Sequence, residues 1–352
     1  MLIINDLHIG VTRSGGTTPQ SQQELRDYLL NGLSQLLDRE YGEVTINGDL
    51  FDSFTVDISQ VIETAHIIYD WLNCRPKARI SLIAGNHDWN PRGDKVSSFH
   101  LLGAMLGMSD VSPRVSVFDK GYAQVSSKVV WCIPHMANQE AFDAEIEKAF
   151  NYGMLTSRKG LPAYLLLHCN YKNGFAENSD HSLNINDEQV AKLMAAGWTL
   201  IIGHEHIGYT LRGGRVVVVG NQFPSSIADC LNDQDKQAVK ITDNGLQFVT
   251  TWAAEDNYYE VDWRDIEVDM DCCFIRVTGE AASLEAAEVI KAVSNLRQRH
   301  TAFVITNSVK IEGHDMNLTT ESVKSIAAFD MVGAVMESLN EKEQEIVKGL
   351  LP

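Results

Sequence analysis

The sequence predicts an α/β layered domain followed by a small α+β domain, and three observations carry that prediction. Short β-rich runs alternate with amphipathic helical stretches over the first two-thirds of the chain. Five of the strands end at a cluster of Asp, Asn or His side chains. Beyond Gly203 the rhythm changes to closely spaced strands, and an acidic stretch around 255–265 separates these from a mixed C-terminal region.

Met1–Ile4 is a short apolar strand running into Asp6, and Arg13–Gln20 reads as a flexible loop. Residues 22–38 place Leu25, Leu29, Leu33, Leu36 and Leu37 at helical spacing. Glu43–Asn47 is the next strand and Ser59–Asn73 the next helix. Arg79–Ala84, Tyr164–His168 and Thr199–Ile202 are further apolar strands, and another ends at Ile133. Arg215–Gly220, Lys236–Ile241 and Leu246–Trp252 follow, the last two joined by the turn Asp243-Asn244-Gly245. The expected boundary divides residues 1–255 from 256–352. The second part reads as a strand (Phe274–Thr278), a helix (Leu284–Arg299), a strand (Ala302–Ile311) and a helical segment (Phe329–Leu351).

A length of 352 residues allows two or three domains, and 44% apolar with 22% charged residues is ordinary globular composition. No apolar run reaches the ~18 residues that cross a bilayer. The N-terminus lacks the basic region and cleavage site of a signal peptide, so the expectation is a soluble protein. The six cysteines form no CxxC pair. Cys74, Cys132 and Cys169 lie in or beside apolar runs and read as buried thiols. Adjacent Cys272 and Cys273 would face opposite sides of a strand, which disfavours a disulfide. A reducing cytoplasm is expected. The net charge of −18, with 18 acidic and 9 basic residues in 256–352, argues against coating nucleic acid or anionic membrane by charge alone. It leaves room for a nuclease whose metal ions invert the sign at the site itself.

The five clusters are Asp6-x-His8, Gly48-Asp49-x-x-Asp52, Gly85-Asn86-His87-Asp88, His168 and Gly203-His204-x-His206. All offer oxygen or imidazole and none a thiolate, which suits hard to intermediate divalent ions such as Mn²⁺, Mg²⁺ or Fe²⁺. Asp6 and His8 leave a strand at alternate positions, so both can turn to one ion, and His204 and His206 repeat that spacing. Glycines at 48, 85 and 203 are expected to let the chain turn sharply there. Any one cluster alone is adequately explained as hydrogen-bonded loop residues; five in this order are not.

These residues resemble the calcineurin-like metallophosphoesterase superfamily, whose signature is DxH, GDxxD, GNH[DE], a lone His and GHxH. Within it the sequence is most similar to the SbcD-type nuclease subunit of DNA double-strand-break repair. DLHIG, GDLFD and the run Val219-Gly220-Asn221-Gln222-Phe223-Pro224-Ser225-Ser226 carry the narrower likeness. The resemblance implies a four-layer α/β/β/α sandwich with a small α+β capping domain. It implies two divalent ions, most often Mn²⁺, one held by Asp6, His8, Asp49 and His206 and the other by Asp49, Asn86, His168 and His204. His87 would stabilise the transition state or protonate the leaving oxygen, with Asp88 orienting it. Asp52 stands where some relatives carry a phosphate-positioning histidine and others an acid. The implied partners are DNA, a separate SbcC-type coiled-coil ATPase (this chain has no P-loop) and a second copy, through helices at Ile58–Leu72 and Val96–Met108. No membrane partner is implied.

The other histidines read as follows: His66 and His100 structural, His135 and His181 possible neighbours of the site, His300 and His314 solvated. Three functions compete. A DNA exo/endonuclease should degrade linear duplex; a phosphatase or nucleotide phosphodiesterase would keep the metals and spare DNA; a scaffold without chemistry would have lost ligands, and here the set is complete.

Overall fold

The computed structural model describes residues 1–12, 19–40, 42–89, 95–126, 130–156, 162–172, 183–231, 235–266, 274–299, 302 and 304–312. The expected helix at 329–351, most of the 13–20 loop, Cys272, Cys273, His181, His300 and His314 lie outside the described residues.

In chain order the strands of the larger unit are β1 (Leu2–Ile4), β2 (Glu43–Asn47), β3 (Arg79–Ile83), β4 (Val115–Phe118), β5 (Ala123–Gln124), β6 (Val130–Ile133) and β7 (Ala163–His168). Next come β8 (Asn170–Tyr171), β9 (Asn184–Ile185), β10 (Trp198–Gly203), β11 (Tyr209–Leu211), β12 (Val216–Val218), β13 (Lys236–Thr242) and β14 (Gly245–Trp252). They make two six-stranded sheets, ordered β14-β13-β1-β2-β3-β4 and β11-β12-β10-β7-β6-β5, with β8 and β9 paired separately. β1 to β4 are parallel, as are β6, β7, β10 and β12, and antiparallel strands flank each group. The five motif strands are therefore split between two sheets, β1, β2 and β3 in one and β7 and β10 in the other.

The sheets pack face to face because alternate side chains of each strand point opposite ways. Ile3, Ile83 and Val239 of the first sheet meet Leu166, Ile201 and Val217 of the second, all buried. Their neighbours Ile4, Ile46 and Leu82 turn outward to Leu29 and Leu33 of α1 (Pro19–Asp38), Ile68 of α2 (Ile58–Cys74) and Leu102 of α3 (Ser98–Gly107). On the other side Leu165, Leu167 and Leu200 meet Phe142 of α4 (Gln139–Thr156) and Val190 of α5 (Asp187–Ala195). Each such side chain contributes about 1.5–3 kcal/mol on burial. The result is a four-layer α/β/β/α sandwich. α1 begins at Pro19 rather than beyond the expected loop, with proline in the first turn where its missing N–H costs nothing.

After the short α6 (Ala254–Asn257), strands β15 (Tyr258–Asp262), β16 (Phe274–Thr278) and β18 (Val304–Asn307) form a parallel sheet in the order β15-β16-β18. β17 (Glu280–Ala281) pairs with β19 (Lys310–Ile311). Helix α7 (Ala286–Arg299) lays Val289, Val293 and Leu296 on Ile275, Val277 and Ile305. The expected strand Ala302–Ile311 is thus two strands, and the helix starts two residues later than expected, after a 3₁₀ turn at Ser283–Glu285. Phe274 points the other way and stacks edge-on against Trp252 and Tyr28, joining this unit to the first core. Among the described residues, no helix is long and apolar enough to cross a membrane. Cys132, Cys169 and Cys230 are buried free thiols, whereas Cys74 is exposed at the end of α2, contrary to expectation: the helix turns its apolar face away from that position.

Candidate metal centre

The loops after β1, β2, β3, β7 and β10 converge at the carboxyl ends of the two sheets and bring all ten candidate residues together. Asp6, His8, Asp49, Asp52, Asp88 and His168 are buried. Asp6, His8, Asp49 and His204 have positive φ, at 48°, 49°, 46° and 93°. Non-glycine residues adopt that region at a cost of order 1–3 kcal/mol, and they concentrate at functional sites. The glycines have distinct duties. Gly48 is left-handed (φ 89°), as expected for a sharp turn, and a Cβ there would lie 1.9 Å from His168 Nδ1. Gly85 and Gly203 are not left-handed; their constraint is space. A Cβ on Gly85 would sit 2.1 Å from Asp49 Oδ1, and one on Gly203 would sit 3.0 Å from Asn47 O.

Two donor sets share Asp49. His8, Asp49 and His87 form one, and Asp49, His168 and His204 the other, each with its ligand atoms within 4.8 Å of one another. The first set admits His87, which the resemblance keeps out of the ligands, while His206 approaches through His8: their Nε2 atoms are 3.0 Å apart. Asn86 Oδ1 stands 3.0 Å from His168 Nε2 and 2.9 Å from His204 Nδ1. Asp6 accepts from the His204 amide at 3.1 Å through both oxygens.

Partners on the far side of each ring assign its tautomer. His206 Nδ1 meets Asp229 Oδ1 at 2.7 Å, and His8 Nδ1 lies 3.3 Å from Asp52 Oδ1. His168 Nδ1 meets the Asn47 carbonyl at 3.2 Å. Each of these partners can only accept, so in the neutral rings that a metal requires each Nδ1 carries the proton and each Nε2 presents a lone pair. The lone pairs of His8 and His206 then face one another, and that of His168 faces Asn86 Oδ1 and Asp49 Oδ2, the latter at 3.3 Å. Acceptors aimed at acceptors beside buried carboxylates, with no lysine or arginine paired to Asp6 or Asp49 among the described residues, are the arrangement a cation would satisfy. The residues present fit divalent metal.

The electrostatics agree. Burial alone would raise Asp49, but the charge and hydrogen bond of His168 and the nearby His8 hold it well below the ordinary carboxylate range. Burial raises Asp6. Burial alone would lower His168, but Asp49 and Asp6 raise it to about 9, so a proton supplies the positive charge that these carboxylates demand. Burial and the neighbouring His168 charge push His204 down to about 3, keeping its nitrogens available as donors to a metal.

The expected pairing of Asp88 with His87 is not among the hydrogen bonds of the Asp88 carboxylate. That carboxylate accepts from the amides of Leu50 (3.3 Å), Phe51 (3.1 Å) and Gly85 (3.0 Å), tying two motif loops together. Burial and Asp49 raise it to about 7. The group that does hold His87 is the backbone carbonyl of Asp52, 2.5 Å from Nδ1, while the His87 amide donates to Asp49 Oδ1 at 2.9 Å. Asp52 thus serves twice, by its carboxylate to His8 and by its carbonyl to His87. His100 is structural, bonded to Ser97 and Asp119. His135 is buried near the site, edge-on to Trp89. Asp229 is a functional candidate that sequence reasoning missed. Its Oδ1 holds His206 while Oδ2 accepts from the amides and hydroxyls of Ser225 and Ser226, and His206 holds it below the carboxylate range despite burial.

Solved structures with a likeness to the chain include three phosphohydrolases. They are phosphopantetheinyl hydrolase from Mycobacterium tuberculosis (13% identity, 70% of this chain and 94% of that one, TM-score 0.36) and a dimetal phosphatase from Danio rerio (12%, 72% and 98%, 0.41). The third is a cold-active protein-tyrosine phosphatase from a psychrophilic Shewanella species (12%, 71% and 77%, 0.34). Likeness at this level says nothing about substrate. No curated protein matches the chain. The model of the calcineurin-like phosphoesterases matches residues 1–208, which contain every ligand candidate named above. The chain belongs to the calcineurin-like phosphoesterase family.

Proposed function

We propose that this metal-dependent phosphoester hydrolase is a DNA nuclease of the SbcD type, cleaving phosphodiester bonds at duplex ends together with an SbcC-type ATPase. One observation carries the narrower reading. The run 219–226, one of the three features that carry the likeness to that branch, is built into the metal centre: Ser225 and Ser226 hold the carboxylate that orients His206.

Asp6, His8, Asp49 and His206 would hold one ion, and Asp49, Asn86, His168 and His204 the other. Two such ions supply Lewis acidity and a water of lowered pKa. The chain's own contribution is preorganisation. Asp52, Asp229 and the Asn47 carbonyl fix three rings with Nε2 toward the centre, and Asp88 locks the second and third motif loops against each other. His87 has its Nδ1–H committed to the Asp52 carbonyl, so Nε2, 4.0 Å from Asp49 Oδ2, is the atom that faces the reaction. Protonated there, it donates to the leaving oxygen.

A homodimer forms part of the proposal. Ile58 (63% exposed) and Met108 (83%) sit at the ends of α2 and α3, with Val96 and Ile62 also exposed nearby, an apolar set that a second copy would cover. The net charge of −18 favours an enzyme that relies on its partner to hold DNA. End-labelled linear duplex incubated with Mn²⁺ should lose its label with the wild type and keep it with His87→Ala. Intact DNA, also in the presence of an ATPase partner, with p-nitrophenyl phosphate esters still hydrolysed, would replace this reading by a phosphatase.

A further inference from the structure

A cavity of about 510 Å³ opens beside His206, between the end strands of the two sheets. Val218 and Val219 line it from one sheet and Lys236 and Gln237 from the other, with Tyr209 and Phe248 completing an aromatic lining. Its size suits a small ligand.

Lys236 makes this cavity chemically specific. Only 5% of the residue is exposed, and its Nζ donates to the His206 carbonyl at 3.0 Å. Among the described residues it makes no ion pair. Asp229, the acid that acts on it electrostatically, has its oxygens engaged by His206, Ser225 and Ser226. Asp235, which also lines the cavity, holds the Ala254 amide at 3.1 Å. A buried ammonium with donors to spare calls for an anion. Phe248, 47% exposed on β14, offers an unsaturated apolar face in the same cavity, where a planar base could stack.

We propose that this cavity binds one nucleotide unit of the substrate strand, its phosphate on Lys236 and its base against Phe248. Lys236 contacts the backbone of a candidate ligand residue, so the bound unit lies next to the phosphodiester being cleaved. The proposal rests on the reading of the substrate as nucleic acid.

Two measurements on the full-length chain test it. The first is calorimetric binding of thymidine 5′-monophosphate to metal-free protein. The second, with Mn²⁺, compares kcat/KM for thymidine 5′-(p-nitrophenyl phosphate) with that for bis(p-nitrophenyl) phosphate, which has no base. Phe248→Ala, a half-exposed position that should fold normally, is expected to weaken nucleotide binding about tenfold and lower kcat/KM for the nucleotide ester in proportion, the loss of one stacked base. Its activity on the baseless ester should stay within about twofold. Lys236→Met should weaken nucleotide binding and reduce its salt slope by about one. Nucleotide binding indifferent to Phe248→Ala, or equal losses on both esters, would overturn the proposal, as would a wild type that binds no nucleotide. Nucleotide binding that depends on Phe248 in a protein that leaves DNA intact would uphold the cavity and remove the nuclease reading instead.

Discussion

Replacing Asp229 by Asn keeps the shape of the side chain and removes its charge, which makes it a direct test of how His206 is held. In the wild type Oδ1 receives the His206 Nδ1 proton at 2.7 Å, and Oδ2 receives the amides of Ser225 and Ser226 at 2.9 and 3.0 Å with their hydroxyls at 3.1 Å. An asparagine has one accepting oxygen. Turned to the serines, it presents an NH₂ to His206 Nδ1–H, and the ring must rotate or move its proton to Nε2, the atom meant for the metal. Turned to His206, it leaves two buried amides facing donors. Hydrogen bonds to charged groups contribute about 1.5–3 kcal/mol, so the first orientation weakens the His206-dependent ion roughly 10- to 150-fold. That agrees with the 10–100-fold typical of groups that orient a ligating histidine. Titrating metal-free protein with Mn²⁺ against a chelator should show one of two binding steps weakened and the other retained. Ser225→Ala is the control, since it deletes a hydroxyl donor to Oδ2 without touching Oδ1; it should cost stability and leave metal affinity alone. Two unchanged binding steps in Asp229→Asn would refute the assignment of Asp229 to His206 and of His206 to a metal.

Three further outcomes follow from the geometry. Gly85→Ala is permitted by the backbone but puts a methyl 2.1 Å from Asp49 Oδ1 and 2.3 Å from its amide nitrogen; it should cost about 1–3 kcal/mol and displace the shared carboxylate, and a variant that binds metal like wild type would contradict this. Asp88→Asn leaves one of three buried amides facing an NH₂, which predicts a loss of about 1–3 kcal/mol in thermal unfolding; full stability with lost activity would instead restore Asp88 to His87. In metal-free protein His168 is raised from its ordinary 6.5 to about 9, so its protonated form stabilises the fold below pH 6.5 and that contribution is lost as pH rises through about 9. Metal needs the neutral ring, so affinity should climb with pH across that window and binding near pH 7.5 should release a proton, read by calorimetry in buffers of different ionisation enthalpy; pH-independent affinity would sink the idea.

What was legible in the sequence was local. A parallel strand buried on both faces reads as an apolar run, and where it stops at Asp6, Asp49, Asn86, His168 or His204 the chemistry shows through. That these strands belong to two sheets came only from the family resemblance and not from the local patterns, because β1 lies between β2 and β13, a pairing across most of the chain that no local pattern records. Adjacency in sequence is also not contact. Asp88 follows His87, yet consecutive side chains in a turn diverge, and the carboxylate went to amides of the second motif while the ring went to the carbonyl of Asp52. Asp229 illustrates the limit more sharply, because a signal for it does exist. Ser226-x-x-Asp229 is a capping box, and in the structure it caps the 3₁₀ turn at Ile227–Cys230. A capping box fully accounts for an aspartate, so nothing in the sequence asks for a further role. Only one carboxylate oxygen is used by the cap, and the other reaches a histidine that left its strand 23 residues earlier. The same side chain thus ends a turn and aims a metal ligand, so removing its carboxylate, unlike removing a serine hydroxyl that bonds only Oδ2, is expected to lower the stability of the turn and the metal affinity at His206 together.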